Sequence, residues 1–170
     1  TTNGALSGSA ADLVLAFAND VTEHTGTVTI TDAPSVAELK EINAQSTGAI
    51  TLATTNGALS GSAADLVLAF AGTVTEHTGT VEITNNHNLA QLAEINSEST
   101  GTITLNDYTV ALTGSSASVS AALDGTFAQA YTGTVSLSDA PSVAELKNIN
   151  AGTTGAITLQ VTNGALSGSA

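Results

Sequence analysis

The chain copies itself. Residues 1–24 and 54–77 are the same string apart from Asn19-Asp20 in the first and Gly72-Thr73 in the second. Repetition this close constrains the fold more than composition can, because each copy must bury its apolar face against its neighbours. A Thr-Gly pair marks the period at Thr25, Thr47, Thr78, Thr100, Thr132 and Thr154, with steps of 22, 31, 22, 32 and 22 residues. Short and long units alternate, so the full period is a pair of about 53 residues. On this reading the chain is one repeat array: a partial long unit at 1–24, pairs at 25–77 and 78–131, and a truncated pair at 132–170. A string that begins without Met and starts and stops inside a repeat is expected to be a piece of something longer.

The short unit shows its elements most plainly. Gly26-Thr27-Val28-Thr29-Ile30-Thr31 alternates apolar residues with Thr, the pattern of a strand buried on one face, with Val28 and Ile30 inward. The period then changes: Val36, Leu39 and Ile42 form one apolar stripe of a short helix. Ser35-Val36-Ala37-Glu38 is a capping box at its start, behind Pro34 and Asp32. Asn88-Leu89-Ala90-Gln91 is the equivalent in the second short unit, and Ser142-Val143-Ala144-Glu145 in the third. Asn43, Asn96 and Asn150 stand at the helix ends, where Asn suits a C-cap; a ladder of Asn side chains binding backbone groups between coils is the alternative. Gly48-Ala49-Ile50-Thr51-Leu52 opens the next strand.

The long unit adds a second helix, Ser62–Ala71, opened by Ser62-Ala63-Ala64-Asp65 and closed by Gly72. Leu66, Val67, Leu68 and Phe70 wrap most of the way round it, which predicts a core helix buried on every side, with an exposed association surface as the alternative. Its third copy, Ser116–Leu123, keeps Gly125 at the place of Gly72. Gly57-Ala58-Leu59-Ser60-Gly61-Ser62 reads as loop and cap, lacking the Lys and the glycine spacing of a phosphate loop. Thr73–His77 alternates again, as an added strand or an extension of the next.

These elements predict an α/β fold: a βα-repeat solenoid of parallel strands and short helices. Six strands are expected, near 26–30, 48–52, 79–83, 101–105, 133–137 and 155–159. Two windings fit. Either each βα unit is a full coil and all strands share one sheet, or a 53-residue coil carries two strands and two helices so that like stacks on like. Three strands read Gly-Thr-Val-x-Ile/Leu and three read Gly-x-Ile-Thr-Leu, which favours the second winding. Neither end carries a polar cap, so the chain is expected to be its own partner, end to end or side by side.

Composition narrows the function. Lys+Arg is 2 against Asp+Glu 15, a formal charge of −13, so no basic patch is available for nucleic acid or an anionic membrane. Only Lys40 and Lys147 offer cuts to a trypsin-like protease, which suits life outside a cell. Cys is absent, so disulfides and thiolate metal sites contribute nothing, and no apolar run reaches membrane-spanning length.

The stretch TGTVTITDAPSVAELKEINAQSTGAITL, residues 25–52, resembles repeats in very large exported proteins of marine cyanobacteria, cell-surface proteins among them. Ser-Val-Ala-Glu-Leu-Lys followed by Ile-Asn and Thr-Gly carries the likeness over the three short units, roughly half the chain, and Asn88–Gln91 departs from it. The resemblance implies an extracellular repeat array and supplies no catalytic residues. Near-identical long units are also what a consensus-designed repeat would show.

Candidate chemistry is sparse. An outward row of Thr29, Thr51, Thr104, Ser136 and Thr158, with Glu82 interrupting and Thr27, Thr80, Thr102 and Thr134 flanking, resembles the Thr faces of ice-binding solenoids, so an ice or carbohydrate surface is one alternative. His24 and His77 follow Glu23 and Glu76 while the third copy shows Gln129-Ala130; with His87 they read as exposed loop histidines. Asp32, Asn85 and Asp139 could bind calcium weakly, as in an adhesin repeat, although N-capping explains them and no other cofactor is implied. No Ser, His and acid keep a common spacing across copies, so no enzyme is expected.

Overall fold

The computed structural model describes residues 3–18, 23–162 and 164. Among them lie nine parallel three-residue strands and six short helices. The first group is β1 (Leu6–Gly8), α1 (Ala10–Phe17), β2 (Val28–Ile30), α2 (Val36–Ala44) and β3 (Ile50–Leu52). The second is β4 (Leu59–Gly61), α3 (Ala63–Phe70), β5 (Val81–Ile83), α4 (Leu89–Ser97) and β6 (Ile103–Leu105). The third is β7 (Leu112–Gly114), α5 (Ser116–Leu123), β8 (Val135–Leu137), α6 (Val143–Gly152) and β9 (Ile157–Leu159). The fold is a βα solenoid. All six expected strands fall inside their expected windows, and the third long-unit helix has the bounds read from its sequence.

Three strands were missed. β1, β4 and β7 lie in the Gly- and Ser-rich segment read as loop, because Leu-Ser-Gly is too short to show a period. Their neighbours make them strands: Leu59 pairs with Val81, and Val81 with Ile103.

The favoured winding is corrected. β2 pairs with both β1 and β3, so unlike strands are neighbours and each βα unit is one turn of the solenoid. Helices follow suit, α2 packing on α3 and α4 on α5. Nor do all strands share one sheet; they form three, ordered β1-β2-β3, β4-β5-β6 and β7-β8-β9. The long unit carries enough chain after β3 to start a new strand beside α2, where a Cβ on Gly61 would come 3.1 Å from Val36 Cγ1. The old sheet still receives a last rung: Val74 bridges Ile50, and Thr75 N–H donates to the Ile50 carbonyl at 2.9 Å. Phe127 does the same at Ile103. Thr73–His77 is therefore a closing rung, and the sheets step sideways once per pair of units while the helices stay in one row.

The core runs the length of the row. Val28, Ile30, Leu39, Ile42, Leu66, Val81, Ile83, Leu92, Ile95 and Ile103 are fully buried. Each such side chain contributes about 1.5–3 kcal/mol against leaving it in water. Small residues let successive coils close up. A Cβ on Gly48 would strike the Gly26 carbonyl, and one on Gly101 the Gly79 carbonyl, so these turns stack backbone on backbone.

The long-unit helix is not buried all round. Leu66 and Phe70 face the core, but Leu68 is 54% exposed and Leu15, its counterpart in α1, 72%. One face of the row is open to solvent, which the apolar circumference did not reveal.

Candidate functional site

The densest chemistry lies in the joints between coils. The three capping boxes form as read: Ser35, Asn88 and Ser142 each accept from the backbone N–H three residues on, and Glu38, Gln91 and Glu145 reach back. Bonding within Ser142's cap holds the Glu145 carboxyl below the usual carboxylate range. Asp32, Asn85 and Asp139 cap a different helix from the one they precede. Their side chains accept from the N–H of Ala10, Ala63 and Ser116 at 2.8, 2.8 and 2.7 Å, the first residues of the helices one coil earlier.

Asn43 and Asn96 are corrected likewise. Asn43 lies inside α2 and is not its cap; its amide donates to the carbonyls of Leu68, Ala69 and Ala71 at 2.9, 3.3 and 2.6 Å. Asn96 donates to Ala121 at 2.8 Å. The intercoil ladder is thus the correct reading, for a physical reason: the last carbonyls of a helix lack intrahelical partners, and the neighbouring coil supplies donors. Asn150, the third of the series, is exposed within α6, with no helix following it among the described residues. Gly72, at φ 77°, takes the left-handed turn that ends α3 beside Asn43. The Lys40 ammonium meets the Asp65 carboxylate at 2.6 Å across the same joint, holding that carboxyl below its usual range. Around it lies an open groove of about 510 Å³, lined by Lys40, Asn43, Gly48, Leu68, Ala71 and Gly72 among others.

The histidines are buried, not exposed: His24 and His77 are 2% accessible and His87 5%. His24 packs on Phe17 and His77 on Phe70, each with ring centroids 6.0 Å apart. Their counterpart is Tyr131, which bridges Thr153 as His24 bridges Ser46 and His77 bridges Ser99; it is not Gln129-Ala130. Counting back from Thr132-Gly133, across the extra residue of the third long unit, would have found it. Burial lowers the pKa of His77, opposed by backbone groups of Thr80 and Gly57, and neither ring nitrogen has a partner at full hydrogen-bond geometry. Tyr131 donates to the Val110 carbonyl at 2.6 Å, so at 3.2 Å its oxygen accepts from His87 Nε2, leaving Nδ1 bare. Burial pushes the Tyr131 phenol up to about 12 and the His87 imidazole down. The two rings pack edge to face at 6.0 Å between centroids and belong to the core.

The hydroxyl row is split between the three sheets. Thr29 lies between Ser7 and Thr51 on the first. Thr104 follows Ser60 and Glu82 on the second, where Ser60 donates to Glu82 at 2.7 Å. Ser136 and Thr158 follow Thr113 on the third, and Ser136 accepts from Gln160 at 2.8 Å. Each column is three residues tall, with rungs about 4.8 Å apart.

Among the described residues, no group of three or more His, Asp and Glu is placed to hold a metal ion, and no helix is long and apolar enough to cross a membrane. The joints define a βα solenoid whose polar side chains fasten coil to coil. Comparison with protein-family models, with curated proteins and with solved structures finds no match to this chain.

Proposed function

We propose that the chain is a non-enzymatic structural module, a spacer or tile in a large secreted or cell-surface protein. The observation that carries this reading is where the polar side chains are used. Asp32, Asn43, Lys40, Asn85, Asn96 and Asp139 all bond to the neighbouring coil, so the recurrent polar residues serve extension of the row. An enzyme or ligand-binding solenoid would spend some of them on one shared cleft. Scarcity of Lys and absence of Cys support an extracellular setting.

The test is scaling. Proteins extended by one and two further 53-residue pairs should lengthen by a constant increment in small-angle X-ray scattering. Compaction with added repeats, or hydrolase or transferase turnover by the purified chain, would sink the reading.

A further inference from the structure

The turn that leads into β4 is pinned at both ends and chemically reactive between them. The Thr55 carbonyl accepts from the N–H groups of Thr78 and Gly79 at 2.9 and 3.1 Å, and Leu59 N–H donates to the Thr80 carbonyl at 2.9 Å. Asn56-Gly57-Ala58 runs between these anchors, with Asn56 exposed. Asn is a thermolabile residue, open to attack on its side-chain amide by the backbone nitrogen that follows it. Asn43, Asn85, Asn88, Asn96 and Asn148 commit their side chains to hydrogen bonds, and none of them precedes a glycine. Neither the Asn56 carboxamide nor the Gly57 N–H bonds to a described residue, and Gly57 has no side chain to shield its nitrogen.

We propose that Asn56-Gly57 is a self-modifying site, where the chain deamidates and thereby loosens its own stacking. Hydroxide takes the Gly57 N–H proton, and the nitrogen bonds to Asn56 Cγ. The bond from Cγ to the side-chain nitrogen breaks, and that nitrogen takes a proton from water and leaves as ammonia. A cyclic imide remains. Water opens it at either carbonyl, giving aspartate or isoaspartate at position 56.

Isoaspartate routes the main chain through the former side chain and adds one carbon between two pinned points. The turn has no room for it. A Cβ on Gly79 would strike the Gly57 carbonyl and come 2.6 Å from the Asn56 carbonyl carbon, and one on Gly57 would come 2.9 Å from the Ala33 Cβ. The added carbon therefore displaces Gly57 from Gly79 or strips Thr55 of its two donors. Either change loosens the coil of β4 from the coil of β5. The third pair lacks this chemistry: Tyr108 accepts from Thr132 and Gly133 as Thr55 does from Thr78 and Gly79, but Thr109-Val110 stands in place of Asn56-Gly57.

Trypsin isolates the site. After unfolding, cuts at Lys40 and Lys147 put Asn3-Gly4, Asn56-Gly57 and Asn163-Gly164 on three separate peptides. Incubating the folded chain at mildly alkaline pH should shift the 41–147 peptide by the mass difference between amide and acid, at a rate that rises with hydroxide. Fragmentation should place isoaspartate at 56, and Asn56→Thr, the third pair's residue, should slow the shift at least tenfold. The isoaspartate form, separated by ion exchange, should melt roughly 5 °C below Asn56→Asp, which carries the same added charge on an unaltered main chain. A 41–147 peptide that gains mass only after the chain is unfolded, or gains it equally in Asn56→Thr, overturns the site. Isoaspartate and Asn56→Asp forms that melt together overturn the loosening. The structural-module reading stands or falls separately from both results.

Discussion

Residues 3–18 and 56–71 are the same sixteen amino acids in two settings. Both fold as Leu-Ser-Gly strand, Ser cap and eight-residue helix, with Ser9 and Ser62 each accepting from the N–H of the Asp three residues on. Local structure is thus independent of position in the row. Burial is not. Leu59 is 2% accessible and Leu6 37%; Ala69 is closed off and Ala16 open, because α3 packs between α2 and α4 while α1, among the described residues, packs on α2 alone. In a solenoid the side chain's own sequence decides shape, and the adjacent coil decides stability.

That contrast can be broken most severely at the stacked turns. Gly101→Ala drives a methyl into the Gly79 carbonyl, whereas the same change at Gly4 meets nothing within 4 Å. Denaturant unfolding should show a loss of about 3 kcal/mol for the first and under about 0.5 kcal/mol for the second. Equal losses would mean that the turns do not stack backbone on backbone.

Next is the strand residue itself. Leu59→Ala opens a cavity at the centre of the row and should cost about 2–4 kcal/mol, while Leu6→Ala should cost about 1 kcal/mol or less. A smaller effect follows at the Asn ladder. Asn43→Ala strips a donor from three carbonyls and should cost about 1–2 kcal/mol; Asn150→Ala, at an exposed position with no helix after it among the described residues, should cost under about 0.5 kcal/mol. Paired thermal melts at low concentration separate the two.

The smallest expected effect depends on pH. Burial lowers the folded pKa of His77 and His87, so the unfolded chain binds more protons once pH falls below the ordinary histidine value of about 6.5. Stability present at pH 7.5 is therefore lost as pH drops from about 7 toward the lowered values. At the position of His77 the third pair has Tyr131, whose pKa of about 12 is silent there. Installing the third pair's side chains, His77→Tyr with Phe70→Leu, should flatten part of that decline in melts between pH 7.5 and 5. An unchanged slope would remove His77 as a contributor.

Most of this architecture was legible because period and capping are local. The Val28/Ile30 alternation, the Val36-Leu39-Ile42 stripe and the three capping boxes each need only a few neighbouring residues. What could not be read was which surface each element meets. Leu59-Ser60-Gly61 becomes a strand through Val81, and Asn43 becomes an intercoil donor through the end of α3, both more than twenty residues away. The winding failed for the same reason: similarity between Val28 and Val81 suggested stacking, whereas the backbone pairs Val28 with Ile50. Thr29, Thr51, Thr104, Ser136 and Thr158 occupy the middle positions of their strands, and their division among three sheets follows from the extra chain of the long unit, which no single strand displays.

The central claim is that one βα unit makes one turn. A Cys-free chain allows a direct test, oxidation of paired cysteines at the start of α2. Val36→Cys with Gly61→Cys should close an intramolecular disulfide readily, since the Cβ positions are 3.4 Å apart. Val36→Cys with Leu89→Cys, the equivalent residue one repeat pair on, should stay reduced. Closure of the second pair and not the first would contradict the account and restore the coil of two βα units.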